Sequence, residues 1–93
     1  MRRGTLYMPE GKTIAVDVPD LAMARTLIGG YLEVLRLECG EVLLVDEDGL
    51  PKNLPVNSAA TQVYMARGAK PVRAVDFSGL RGKAIRCPTS VLG

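Results

Sequence analysis

The sequence of 93 residues contains no histidine and no tryptophan, and its aromatic residues are three tyrosines and one phenylalanine. Histidine is the commonest general base near neutral pH and a frequent metal ligand, so its absence argues against the familiar kinds of nucleophilic and metal-assisted catalysis. Four aromatic side chains are also too few for the stacking platforms that bind single-stranded nucleic acid. We therefore predict a non-enzymatic protein with no catalytic residues, no metal site and no cofactor.

Cysteines and long apolar segments are scarce as well. A disulfide between Cys39 and Cys87, the two cysteines, is one alternative, but a single bridge is a thin framework for a secreted domain. No apolar run approaches the roughly 20 residues of a membrane span, and the segment Gly4 to Lys12 interrupts any apolar core of a signal peptide. The sequence thus favours reduced cysteines, a cytoplasmic location and no membrane partner.

Charge is divided unevenly along the chain, although the net charge is only +2. Residues 1–50 carry five basic and nine acidic side chains, a net −4, whereas residues 51–93 carry seven basic and one acidic, a net +6. Such a partition can mark an anion-binding face, and it can also mean that the two halves pair with each other. Pairing is the simpler interpretation, since a small domain folds its halves together.

Alternating and apolar segments predict the strands. Lys12–Val18 alternates apolar and polar residues as a half-buried strand does, and Pro9-Glu10-Gly11 supplies a turn from the segment before it. Glu41–Val45 lacks alternation, which predicts a strand that is covered on both faces. The remaining predicted strands are Thr5–Met8, Tyr31–Leu37, Val72–Phe77 and Lys83–Cys87.

Capping residues predict two short helices. Asp20 is a favourable N-cap for a helix that Gly29-Gly30 ends. Asn57 or Ser58 caps a second helix that runs to about Arg67.

We therefore expect a single α+β domain over residues 1–93. It should contain an antiparallel or mixed sheet of five or six strands, two short helices and a loose tail at about 88–93. A domain of this size buries a modest fraction of its surface, which makes a homo-oligomer a natural supplement.

Two short segments look like parts of ligand-binding motifs but are incomplete. Gly11-Lys12-Thr13 would end a phosphate-binding loop, yet the required first glycine is Leu6 and a predicted strand follows instead of a helix. In Asp46-Glu47-Asp48-Gly49 the glycine comes fourth, whereas a calcium-binding EF-hand loop needs it sixth. The second segment is therefore predicted to be a solvated turn.

The middle of the chain resembles a known family. The segments that carry the resemblance are Leu27-Ile28-Gly29-Gly30-Tyr31-Leu32-Glu33-Val34, Leu44-Val45-Asp46-Glu47-Asp48-Gly49, and Leu54-Pro55-Val56-Asn57 followed by Ala60-Thr61. They are similar to the domain of unknown function numbered 3846, a small family found largely in bacteriophages and in bacteria that carry prophages. The resemblance covers about residues 7–61. It implies a phage accessory protein in the host-cell cytoplasm and supplies no activity to carry over.

The first candidate binding segment is Gly29, Gly30 and Tyr31. In the structural interpretation, the glycines end the helix and Tyr31 packs at a strand edge. In the functional interpretation, two residues without side chains let a ligand approach the backbone, and Tyr31 supplies a stacking or hydrogen-bonding face.

The second candidate segment runs from Asn53 to Thr61. It is either a proline-stiffened loop that ends in a helix cap, or an anion site built on the N–H groups at the helix start. The side chains assigned to that site, with countercharge from the basic half, are Asn53, Asn57, Ser58, Thr61, Arg67 and Arg73.

These observations favour an accessory protein that binds a host protein or a small anionic ligand, nucleotide-like ligands included. The alternative is a nucleic-acid-binding module that uses the basic half, residues 51–93, to contact phosphates.

Overall fold

The computed structural model describes residues 3–38, 40–69 and 79–93. Helix α1 (Leu21–Ile28) lies between the second and third strands, and helix α2 (Ser58–Arg67) between the fourth and fifth. The five strands are β1 (Arg3–Tyr7), β2 (Thr13–Asp17), β3 (Leu32–Arg36), β4 (Glu41–Asp46) and β5 (Ala84–Pro88).

The strands form one antiparallel sheet in the order β2-β1-β5-β4-β3. Two hairpins, β1–β2 and β3–β4, lie on either side of β5, which comes last in the chain and occupies the centre of the sheet. The predicted α+β class with two short helices is confirmed, and among the described residues the sheet has five strands. The predicted strand Val72–Phe77 lies outside the described residues.

Each helix covers a different face of the sheet. Side chains of β4 alternate between the two faces, so Val42 and Leu44 pack in the cluster that contains α1, whereas Leu43 and Val45 pack in the cluster that contains α2. All four are buried, which confirms that this strand is covered on both sides. The sheet is therefore the middle layer of three.

The helices begin and end where their capping residues predict. The Asp20 carboxylate accepts a hydrogen bond from the Met23 N–H (2.9 Å), and Gly29 ends α1 in the left-handed conformation. Asn57 caps α2, and Gly68 follows its last residue.

The expectation of a loose tail at 88–93 is wrong. Residues Thr89–Leu92 form a 3₁₀ helix, and Val91 is buried in the cluster on the α1 face of the sheet. The apolar contacts of Val91 keep this end of the chain packed against the sheet. Cys87 is buried with its thiol free, and Cys39 lies outside the described residues.

Candidate functional site

A groove beside α1 contains the first segment that the sequence singles out. It is lined by Ala22, Arg25, Thr26, Gly30 and Tyr31. The guanidinium carbon of Arg25 lies 4.8 Å from the centroid of the Tyr31 ring, which is the geometry of a cation–π contact. Tyr31 as a residue is 65% exposed, so it does not pack into the strand edge.

The end of α1 brings these two side chains together. Arg25 lies in the last turn, and its carbonyl accepts a hydrogen bond from the Gly29 N–H (2.8 Å). Gly29 adopts φ 89°, which reverses the chain so that Tyr31 returns beside the turn that carries Arg25. The sequence analysis identified the two glycines and Tyr31 as candidates. It did not identify Arg25, although Arg25 lies only six residues before Tyr31.

Gly30 lies directly against an ion pair. A Cβ atom at this position would lie 2.7 Å from Lys52 Nζ and 2.9 Å from Asp46 Oδ2. The missing side chain therefore makes room for an ion pair behind the groove.

That ion pair joins a buried carboxylate to a half-exposed lysine. Lys52 Nζ donates to Asp46 Oδ2 at 2.8 Å, and the Asp48 N–H donates to Asp46 Oδ1, also at 2.8 Å. Burial by itself would raise the pKa of Asp46, but these two hydrogen bonds and the lysine charge outweigh it and lower that pKa. The hydrogen bond to Asp46 raises the pKa of Lys52. The pair is fully charged near neutral pH.

In the second predicted segment, Asn57 and Thr61 make hydrogen bonds within the fold. Asn57 is fully buried, and its Nδ2 donates to the carbonyls of Tyr7 and Gly82, both at 2.9 Å. Its Oδ1 accepts from the Ala60 N–H at 3.1 Å. Thr61 Oγ1 donates to the Asn57 carbonyl and accepts from the Leu80 N–H. Asn57 and Thr61 therefore stabilise the start of α2, and their side-chain polar atoms have their hydrogen-bond partners within the fold.

The other predicted binding residues do not converge with Tyr31. Asn53, Ser58 and Arg67 are exposed, and none of them lines the groove beside α1. Arg73 lies outside the described residues.

The described basic residues of the second half partly pair with the first half. Lys52 contacts Asp46, and Arg86 donates from Nε and Nη2 to Glu41 Oε1 at 3.0 and 2.7 Å. A further arginine, Arg81, donates from Nη1 to the Leu54 carbonyl. Both ion pairs found in the described ranges thus link an acidic residue of 1–50 to a basic residue of 51–93.

A second, open groove lies on the α2 side of the sheet, away from Tyr31. It is lined by Arg3, Gly4, Thr5, Ala15, Glu41 and Arg86. Arg86, one of its two cations, is already paired with Glu41, which favours the groove beside α1 as the candidate site.

In comparisons with known proteins, the chain matches no family model, no curated protein and no solved structure. The resemblance to the family numbered 3846 therefore stays a prediction. Within the described ranges, no helix has the length and apolar character needed to cross a membrane. Nor does any group of three or more Cys, Asp or Glu side chains in those ranges have an arrangement that would hold a metal ion.

Proposed function

We propose that this protein is a non-enzymatic binding protein that holds a small anionic ligand of the nucleotide-like class in the groove beside α1. The observation that carries this proposal is the Arg25–Tyr31 pair, in which a guanidinium lies over a tyrosine ring that is largely exposed. Exposed aromatic rings held in place by a neighbouring cation are ready contact surfaces, because they lose little conformational freedom on binding.

The chemistry of the groove suits a flat anion. The guanidinium of Arg25 offers a planar fork of N–H donors that matches a phosphate or carboxylate. The ring of Tyr31 stacks against a heterocycle. Gly30 also lines the groove.

A host protein is the second candidate for the same surface. Tyrosine and arginine dominate the binding energy of many protein–protein interfaces, and Tyr31 and Arg25 both line this groove. The resemblance to a phage family supports an accessory role in the host-cell cytoplasm. The nucleic-acid alternative receives less support, since Lys52 and Arg86 already pair with carboxylates.

Isothermal titration calorimetry with adenosine monophosphate, adenosine and inorganic phosphate tests the proposal. We expect adenosine monophosphate to bind more tightly than adenosine or phosphate, because it engages the ring and the guanidinium together. Arg25→Gln should weaken binding at least about tenfold, since hydrogen bonds to charged groups contribute about 1.5–3 kcal/mol. Tyr31→Ala should also weaken it.

Arg67→Gln is the matched control. Like Arg25, Arg67 is exposed and lies in the last turn of its helix, but it does not line the groove. The Arg67→Gln variant should leave the affinity for adenosine monophosphate unchanged. Equal weakening by Arg25→Gln and Arg67→Gln, or no binding of any probe, contradicts the ligand proposal. A host protein that is retained by the wild-type chain but lost by Tyr31→Ala would then support the second candidate.

A further inference from the structure

Two residues that line the groove beside α1, Gly30 and Tyr31, belong to neither a helix nor a strand. α1 ends at Ile28 and β3 begins at Leu32, so residues 29–31 form a short link between them. Two of its three residues are glycines, which have no side chain to pack and more backbone freedom than any other residue. The position of the tyrosine therefore depends on contacts that reach the link from outside.

Two contacts join the link to the end of β4 and the turn that follows it. The Glu47 N–H donates to the Tyr31 carbonyl at 2.9 Å. Lys52 Nζ and Asp46 Oδ2 lie so close to Gly30 that a Cβ atom there would be 2.7 and 2.9 Å from them. The link is thus held between the end of α1 and this turn.

The Asp46 carboxylate fixes the shape of the turn. Its Oδ1 accepts from the Asp48 N–H and its Oδ2 from Lys52 Nζ, both at 2.8 Å. The Asp46 side chain is 2% exposed, so little water competes for these bonds. Because Glu47 lies between Asp46 and Asp48 in the chain, closing the turn also sets the direction of the Glu47 N–H.

We propose that Asp46 and Lys52 are positioning residues of the groove. Their ion pair holds the turn against residues 29–31 and keeps the Tyr31 ring beside the Arg25 guanidinium. Neither member of the pair lines the groove, so both act through the tyrosine. A ring that is already in place loses less conformational freedom when a ligand binds; that this strengthens ligand binding rests on the proposed function.

NMR spectroscopy of the chain without ligand tests the positioning directly. The Arg25 guanidinium lies over the Tyr31 ring, and an aromatic ring shields protons over its face. The Arg25 Hδ signals of the wild-type chain should therefore lie upfield of those in a Tyr31→Leu variant. Lys52→Met removes the charge and should move these signals most of the way to the Tyr31→Leu values. Lys52→Arg keeps a donor for Asp46 and should return them toward the wild-type values.

Glu41→Gln is the matched control. It breaks the ion pair between Glu41 and Arg86 (2.7 Å), neither of which lines the groove beside α1. The Arg25 signals of this variant should keep their wild-type positions. Circular dichroism shows whether each variant is folded. If Lys52→Met is unfolded, Lys52→Met combined with Asp46→Asn removes the unpaired buried carboxylate and should give the same shift.

Calorimetry with adenosine monophosphate measures the consequence for binding. Lys52→Met should weaken binding about two- to tenfold, which is the loss expected when a side chain must be ordered on binding. Lys52→Arg and Glu41→Gln should bind about as tightly as the wild-type chain.

The two measurements fail in different ways. If adenosine monophosphate does not bind the wild-type chain, the proposed function is contradicted, and the NMR signals alone decide the positioning role. That role is overturned if Lys52→Met leaves the Arg25 signals at their wild-type positions, or if Glu41→Gln moves them equally. It is also overturned if the wild-type and Tyr31→Leu signals coincide, or if Lys52→Met binds adenosine monophosphate as tightly as the wild-type chain does.

Discussion

Asn57 shows how one buried side chain can connect distant parts of a small domain. Its amide caps α2 and also donates to the carbonyls of Tyr7 and Gly82, which lie 50 and 25 positions away in the sequence. Asn57→Ala removes the cap and leaves one buried and one partly buried carbonyl without this donor. We expect the free energy of unfolding to fall by about 3 kcal/mol, because a cap contributes about 1 kcal/mol and each buried unpaired group costs about 1–3 kcal/mol. Urea denaturation followed by circular dichroism measures the change.

Ser58→Ala is the control for that measurement. Ser58 is the adjacent residue and is exposed, so its loss should change the free energy of unfolding by less than about 0.5 kcal/mol. An equal loss for Ala at both positions would contradict the role given to the Asn57 amide.

Asp46 should make the stability of the protein depend on pH in acid. Its hydrogen bonds to Lys52 and Asp48 lower its pKa in the folded chain below the ordinary value of 3.8. As the pH falls, the unfolded chain takes up the proton first, so protonation favours unfolding. The stabilisation is present above about pH 4 and is lost as the pH falls through the folded pKa. The melting temperature of wild type should exceed that of Asp46→Asn at pH 6, and the difference should shrink toward pH 2.

Glu47→Gln provides the comparison, because it removes an exposed carboxylate one residue further along. A difference between wild type and Asp46→Asn that is the same at pH 6 and pH 2 would show that the ion pair does not stabilise the fold.

At the scale of elements, Gly29 and Gly30 end the same helix for different reasons. Position 29 favours glycine because of its backbone conformation, φ 89°. Space is not the reason, since a Cβ there would meet nothing within 4 Å. Gly30 needs the space that Lys52 and Asp46 occupy. Gly29→Ala should therefore cost about 1 kcal/mol from left-handed strain alone, with the pH dependence in acid unchanged. Gly30→Ala should displace Lys52 from Asp46 and flatten that dependence. Thermal melts of both variants at pH 2 to 6 separate the two effects, and identical pH profiles would contradict the distinction.

The helices and most strands were predictable because their signals are local. The helix caps, Asp20 and Asn57, and the glycines after each helix act within a few residues. The unbroken apolar run of β4 predicts that this strand is buried. The strand order could not be predicted, since β5 reaches the centre of the sheet through contacts with β1 that are distant in sequence. The 3₁₀ helix at the end was missed because Val91 is buried by tertiary packing, with no periodic pattern around it.

The candidate site was partly predictable for the same reason. Gly29 and Tyr31 stand out locally, whereas the use of Asn57 inside the fold depends on carbonyls that only the tertiary structure brings near.

At the scale of the whole molecule, some of the unevenly divided charges pair with each other inside the chain. Asp46 with Lys52 and Glu41 with Arg86 link the acidic and basic halves, and the second pair joins β4 to the central strand β5. β5 pairs with a strand of each hairpin, β1 and β4, so its place in the sheet depends on both hairpins. Such an arrangement predicts a chain that unfolds as one cooperative unit.

Cys87 on β5 offers a direct test of this cooperativity. It is buried at the centre of the sheet, and burial, aided by the charge of Glu41, raises the pKa of its thiol to about 11. The thiol should therefore react with iodoacetamide only when the sheet opens. In a Cys39→Ser variant, which leaves one thiol, the free energy of opening measured from the labelling rate should equal the free energy of unfolding measured in urea. Labelling at an opening energy well below the unfolding energy would mean that β5 leaves the sheet in a local event, and the single cooperative unit would be wrong.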